Sequence, residues 1–323
     1  MTVPLTAPPQ AIEIVADAAA LRAMAAKTAA AWEIVGEAAP YHSVLTSDEY
    51  KPERFAENEI SFFQSGKDDV ALILALLQRI GRPAEGFCRC LEFGCGVGRV
   101  TAQLAATFSE VLALDISHPH LRLAQRHLAG LGHTNVSFLQ VTPEDLHPGT
   151  GYDLWFSRLV LQHNPPPVTL EILNRMFAGL APGGVAIFHV PTYHNGYYFK
   201  ITDYLADGLP PENMHMHVTP QKPILELAWR HGCALLDIRE ELAPDWVINV
   251  FVFQKVKASS LLTERLRGAL HALTKRRRGD LTKCAAKSAL VLSNLLARAK
   301  RDCRVFTDRR LAIPDYLRAI EAC

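Results

Sequence analysis

The chain lacks any apolar run approaching the ~18 residues that a membrane-spanning helix needs. Met1 to Gln10 is Pro-rich and lacks the basic stretch and apolar core of a secretory leader. Cysteine is sparse and irregular, its seven copies standing at 88, 90, 95, 233, 284, 303 and 323. An odd count with no second close pair beyond Cys88 and Cys90 argues against a disulfide framework or a zinc site. Reduced thiols in a cytoplasmic protein are the expectation. Net charge is almost absent at +1, so bulk electrostatics predict no polyanionic partner. No internal repeat is found.

What is present is ordinary globular composition, 49% hydrophobic and 21% charged over 323 residues. That is enough chain for a core without staples. Residues 1–64 read as a helical and irregular extension, Ala-rich over 11–39 and, over 40–64, irregular structure or a lid. Ser65-Gly-Lys-Asp68 resembles a capping box opening a helix striped by Val70, Ile73, Leu74 and Leu77. From Phe87 the pattern alternates. Short apolar strands are expected at Cys88–Phe93, Val111–Leu114, Val136–Val141, Tyr152–Ser157 and Val185–Val190. Helices are expected between them at Arg99–Phe108, Pro119–Leu131 and Pro165–Leu180. Such alternation predicts an α/β doubly wound, mostly parallel sheet covered on both faces. After a helix at Pro223–His231, Ala234–Leu242 and Trp246–Lys255 predict an antiparallel hairpin at its C-terminal end. The domain is therefore drawn at 65–257, with an insertion at 192–219 read as a substrate lid and a basic helical tail at 258–323.

The chemistry concentrates where the first strand meets its helix, in Leu91-Glu-Phe-Gly-Cys-Gly-Val-Gly-Arg99. Gly94, Gly96 and Gly98 allow a sharp turn and a close approach of ligand to bare main chain. Ligands of open parallel sheets lie beyond the carboxyl ends of the strands. A nicotinamide dinucleotide site would read G-x-G-x-x-G. Here the spacing is G-x-G-x-G, Arg99 stands where the third Gly would fall, and acidic Glu92 precedes the turn. A carboxylate there suits a ligand carrying an ammonium group better than a pyrophosphate. With Asp115 ending the second strand, 17 residues after Gly98, and Pro182-Gly-Gly184 before the fifth, the segment resembles the class I S-adenosylmethionine-dependent methyltransferases, a Rossmann-like superfamily. The resemblance spans about residues 87–255. It implies S-adenosylmethionine as cofactor, its methionine portion at Glu92, Gly94, Cys95, Gly96 and Gly98. Asp115, followed by Ile116, would hold the ribose. Glu144 or Asp145, in Val141-Thr-Pro-Glu-Asp-Leu146, would accept from the adenine amino group, and Ser157 would lie at the cofactor's edge.

Methyl transfer from a sulfonium is an in-line displacement whose leaving group is already good. What the protein must add is positioning, exclusion of water and, for a hydroxyl acceptor, removal of a proton. The resemblance places the acceptor near the end of strand four and after strand five. His163 in the first region, and His194, His215 and His217 in the second, are the candidate bases. Tyr193, Tyr197 and Tyr198 suit stacking on a sugar or ring. His215 and His217 alternate with Met but have no convergent carboxylate, so no metal is expected. Arg158 could hold the cofactor carboxylate, an acidic acceptor or a structural carboxylate. Asn164-Pro-Pro-Pro167 lies too far past Ser157, and lacks the aromatic, to be the N-P-P-aromatic motif of amino-directed methyltransferases.

Residues 258–323 hold 15 Lys and Arg against 6 Asp and Glu, leaving the rest of the chain acidic. Lys275-Arg-Arg-Arg278 and the apolar-striped Leu281–Arg301 could meet an anionic membrane surface, making the protein peripheral, or another protein. The absence of interleaved aromatics argues against nucleic acid. The expectation is methyl transfer to a small-molecule or glycan-type acceptor, oxygen favoured over nitrogen. Its rivals are a catalytically silent cofactor-binding partner and an RNA or protein methyltransferase that uses the basic tail.

Overall fold

The computed structural model describes residues 9–256 apart from 148, 209–213 and 244. The basic tail and its expected partners therefore lie outside the described residues. Helices α1 (Ala18–Ala38) and α2 (Pro40–Val44) come first, followed by α3 (Phe55–Gln64) and α4 (Gly66–Arg79). The Asp17 carboxylate caps α1 by accepting the amide proton of Ala20 at 2.8 Å. The expected capping box at Ser65 does not form. Ser65 is itself helical, shared between the end of α3 and the start of α4, and its hydroxyl donates back to the Phe62 carbonyl. A side chain turned backward into the preceding turn cannot reach forward to cap.

The alternation then appears as expected: β1 (Arg89–Phe93), α5 (Thr101–Thr107), β2 (Glu110–Asp115), α6 (His118–Gly130), β3 (Val136–Gln140), β4 (Tyr152–Ser157), α7 (Pro166–Gly179) and β5 (Leu180–His194). After α8 (Ile201–Ala206) and α9 (Gln221–Arg230), the chain closes with β6 (Cys233–Ala243) and β7 (Trp246–Lys255). The seven strands form one sheet in the order β3-β2-β1-β4-β5-β7-β6. The first five are parallel, and β7 runs antiparallel to both β5 and β6. The C-terminal hairpin is thus inserted with its second strand against β5. The order reverses direction between β1 and β4, which opens a crevice at their carboxyl ends.

Neighbouring residues of β1 serve opposite cores, as burial on both faces demands. Leu91 and Phe93 join Trp155, Phe188, Phe251 and Phe253 on one face. Cys90 joins Leu154, Ile187 and Val252 against Ile73 and Leu77 of α4 on the other. Strand β5 is longer than its apolar run suggested. Pairing with β7 carries it to His194, so Thr192, Tyr193 and His194 belong to the sheet rather than to a lid. Among the described residues no helix is long and apolar enough to cross a membrane.

Candidate functional site

A cleft enclosing about 960 Å³ of space, part of it open solvent, lies beyond the carboxyl ends of β1, β2 and β4. Its floor is the glycine turn, with Glu92, Gly94, Cys95 and Gly96 on the wall, and Asp115 and Ile116 beside them. Gly94 has φ +81°, and a Cβ there would stand 2.2 Å from Cγ2 of Val160. Val160 follows Leu159, which takes a left-handed φ of 59° just past β4. Gly98 packs away from the cleft, against Ala124 and Leu128 of α6. It closes the helix onto the sheet rather than meeting a ligand.

Two carboxyl groups define the electrostatics. Asp115 is buried, and its oxygens accept amide protons from Gly96 at 2.7 Å and Ser117 at 2.9 Å. Glu92 is buried with the Thr101 hydroxyl donating to it at 2.6 Å. Burial pushes its pKa up to about 8; the Thr101 hydrogen bond and Arg99 oppose this, while Asp69 and Asp115 add to it. The same wall carries Arg99 and Arg158. Arg99 pairs with Asp69 at 2.6 Å, and Arg158 with the same carboxylate at 2.8 Å and with Glu241 of β6 at 2.6 Å. Of the three roles open to Arg158, the structure gives it structural carboxylates.

Other expected site residues fall elsewhere. Glu144 and Asp145 are exposed in a tight turn outside the cleft, with Asp145 paired to Arg175. Val141 and Leu146, the apolar residues flanking them, are the ones that reach the wall. The Ser157 hydroxyl turns away to donate to the Phe93 carbonyl at 2.9 Å, tying β4 to β1.

None of the four candidate bases is on the cleft wall. His163 donates from Nδ1 to the His215 carbonyl at 3.1 Å and receives the Gln162 amide on Nε2 at 3.2 Å, which uses both ring nitrogens. Burial pulls its pKa down to about 4. His217 is buried against the Tyr197 hydroxyl at 2.9 Å, and burial takes its pKa to about 3. His215 stacks on His217 with ring centroids 6.2 Å apart, and His194 lies against Trp246 at 4.2 Å. No group of three or more His, Cys, Asp or Glu converges to hold a metal among the described residues.

Sequence reasoning offered a lid over 40–64 but missed the part that α1 and α6 play in the roof. Thr28 and Trp32 of α1, Ser43 and Val44 of α2, and His120 of α6 all line the cleft. The signal for α1 was an Ala-rich helix with Thr28 and Trp32 one turn apart on a single face. Nothing local shows which distant surface that face covers.

Residues 91–186 match the methyltransferase domain family. Trans-aconitate 2-methyltransferase of Methylobacterium radiotolerans is 37% identical over 118 residues, 36% of this chain and 42% of that protein. An uncharacterised methyltransferase of Mycobacterium tuberculosis is 31% identical over 126 residues, 37% of this chain and 59% of that protein. The chain thus matches about half the length of these curated relatives. Among solved structures, magnesium protoporphyrin IX methyltransferase from Synechocystis with bound S-adenosylmethionine aligns at a TM-score of 0.42 and 18% identity. That alignment covers 61% of this chain and 80% of the other. The glycine turn and the carboxylate ending β2 both lie within residues 91–186, the segment that matches the family. Residues 91–186 thus match a methyltransferase domain, carried on a doubly wound sheet ordered β3-β2-β1-β4-β5-β7-β6.

Proposed function

We propose that the protein transfers the methyl group of S-adenosylmethionine to an oxygen of a small anionic molecule, a carboxylate. The observation that carries the reading is the cleft itself, where bare main chain at Gly94 and Gly96 lies between two buried carboxyl groups, Glu92 and Asp115. A nucleoside with a cationic side chain fits that donor set. Asp115 has unused lone pairs for ribose hydroxyls, and Glu92 offers a carboxylate to a cation. Ile116, Val141 and Leu146 supply apolar wall for a base. Cys95 contributes its place in the turn, since its amide donates to the Leu114 carbonyl at 2.8 Å. When bound, the cofactor supplies an electrophilic methyl on a good leaving group.

The case for a carboxylate rests on the proton inventory. A hydroxyl acceptor needs a base at its oxygen, whereas a carboxylate is already ionised at neutral pH. The four candidate histidines stand off the wall, and His163 has both ring nitrogens engaged. His120 does reach the wall, but its Nε2 is hydrogen-bonded to Ser43 and Pro40, and Nδ1 packs against Gly36. The methylobacterial relative named for trans-aconitate, an organic anion, adds support. A glycan-type acceptor, and contact of residues 258–323 with an anionic membrane surface or another protein, rest on sequence alone.

The test is incubation of the purified protein with methyl-labelled S-adenosylmethionine and matched small carboxylates, alcohols and amines. Label recovered in a base-labile ester supports the reading. Label on an alcohol or amine overturns the carboxylate. Donor binding without transfer to any class points to the silent cofactor-binding partner.

A further inference from the structure

Residues 10–44 do more than precede the sheet. On the side of the glycine turn they are pinned to the start of α6. Ser117 donates its hydroxyl proton to the Trp32 carbonyl at 3.0 Å, the His118 amide donates to Glu33 at 2.8 Å, and Arg122 pairs with Glu37. The Ser43 hydroxyl meets His120 Nε2 at 2.9 Å. On the other side they are pinned to the segment after β5. The Glu13 amide donates to the Phe199 carbonyl at 3.0 Å, and Lys27 donates to the Tyr204 carbonyl at 2.6 Å. Between these anchors, Trp32 and Thr28 face the cleft, and Val44 sits over the turn, 2.8 Å from where a Gly96 Cβ would be. The Trp32 ring stands between two imidazoles, 6.0 Å from His120 after β2 and 5.2 Å from His163 after β4. It thereby bridges the half of the cleft that carries Asp115 and the half that follows β4.

From this arrangement we propose that residues 10–44 form the lid of the cleft, and that Trp32 is the residue by which the lid retains the bound methyl donor and keeps water from the reacting centre. The inference rests on the cofactor reading above. A broad, rigid, largely apolar ring suits that role. It covers area at little entropic cost, and its half-buried position leaves it responsive to what lies beneath. The anchors on both sides hold the ring over the cleft, so Trp32 governs departure more than arrival.

The test uses the full chain, with S-adenosylmethionine and S-adenosylhomocysteine as probes. Trp32→Ala is expected to speed dissociation of both at least tenfold in stopped-flow displacement, and Trp32→Phe by an intermediate factor. Tryptophan emission supplies a readout that a merely structural role would not move. Trp32 is one of four tryptophans, and the emission change on adding donor is expected in wild type and lost in Trp32→Phe, although calorimetry still detects binding. If Trp32→Ala fails to fold, Trp32→Phe decides by emission and off-rate together. Off-rates within twofold of wild type, with the donor-induced emission change retained in Trp32→Phe, overturn the lid. A wild-type protein that binds neither probe overturns the cofactor reading, and the lid with it; binding without any Trp32 effect overturns the lid alone.

Discussion

The Asp115 carboxylate accepts the Gly96 amide proton across 2.7 Å while its other oxygen holds the amide of Ser117. One side chain at the end of β2 therefore ties the glycine turn to Ser117, the N-cap residue of α6. Asp115→Asn keeps the volume but turns an NH₂ group toward one of those amides and removes the charge. Donor affinity is expected to fall about 10–100-fold, the equivalent of one charge-assisted hydrogen bond at ~1.5–3 kcal/mol. Isothermal calorimetry with S-adenosylmethionine measures this, with the thermal midpoint recorded beside it. Affinity within twofold of wild type would remove Asp115 from the binding site.

Gly94 is constrained twice over. Its φ of +81° disfavours any side chain, and Val160 occupies the space a Cβ would take. Gly94→Ala should cost about 1–3 kcal/mol from strain and overpacking together. Adding Val160→Ala removes the two nearest atoms but leaves the residue 160 Cβ 2.9 Å away and the dihedral unchanged, so the double variant should recover only part of the loss. A denaturant-based double-mutant cycle reads the coupling. Additive losses would show that the two side chains do not compete for one space.

The sheet and the glycine turn were legible because their signals are local: apolar runs of strand length, glycines at fixed spacing, an acidic residue closing β2. The α1 part of the cleft's roof was not. Trp32 meets His163 across 131 positions, and an Ala-rich helix does not announce its partner. Arg158 was ambiguous for the same reason, since Asp69 and Glu241 lie in distant elements. Glu144 and Asp145 show a different limit. An acidic loop can be recognised, yet the Thr142–Asp145 turn directs its neighbours Val141 and Leu146 inward and leaves the acids outside. Strand β5 ran past its apolar segment because pairing with β7, rather than composition, set its length.

Asp69 joins Arg99 to Arg158 in a buried network on the cleft wall. Removing one charged partner leaves the others short of their counter-ion. Asp69→Asn is expected to destabilise the fold by about 3–5 kcal/mol if the network stays dry, and Asp69→Ala by no less. Glu241→Gln, at a more exposed partner, should cost less. Urea unfolding of the three variants supplies the ranking. Equal and small losses would mean that water already screens these charges.

On the proposed reading, in which Glu92 faces the donor's cationic groups, donor binding is expected to be proton-linked. With its pKa pushed up to about 8 by burial, the carboxyl carries its proton at neutral pH in the cofactor-free protein. A cationic ligand favours the ionised form, so binding must release that proton. Donor affinity is therefore expected to strengthen as pH rises from 6.5 towards 8, by up to about tenfold per unit, and to level off above. Stability of the cofactor-free fold moves the opposite way. Between the ordinary carboxylate value and about 8 the native state holds a proton that the unfolded chain has lost, so stability falls as pH rises through that window. Glu92→Gln should abolish both trends and bind the donor with weaker, pH-independent affinity. Calorimetry at pH 7 in two buffers of different ionisation enthalpy counts the protons directly. Wild type should release close to one and Glu92→Gln none; a wild-type count of zero would place the donor's cationic groups away from Glu92.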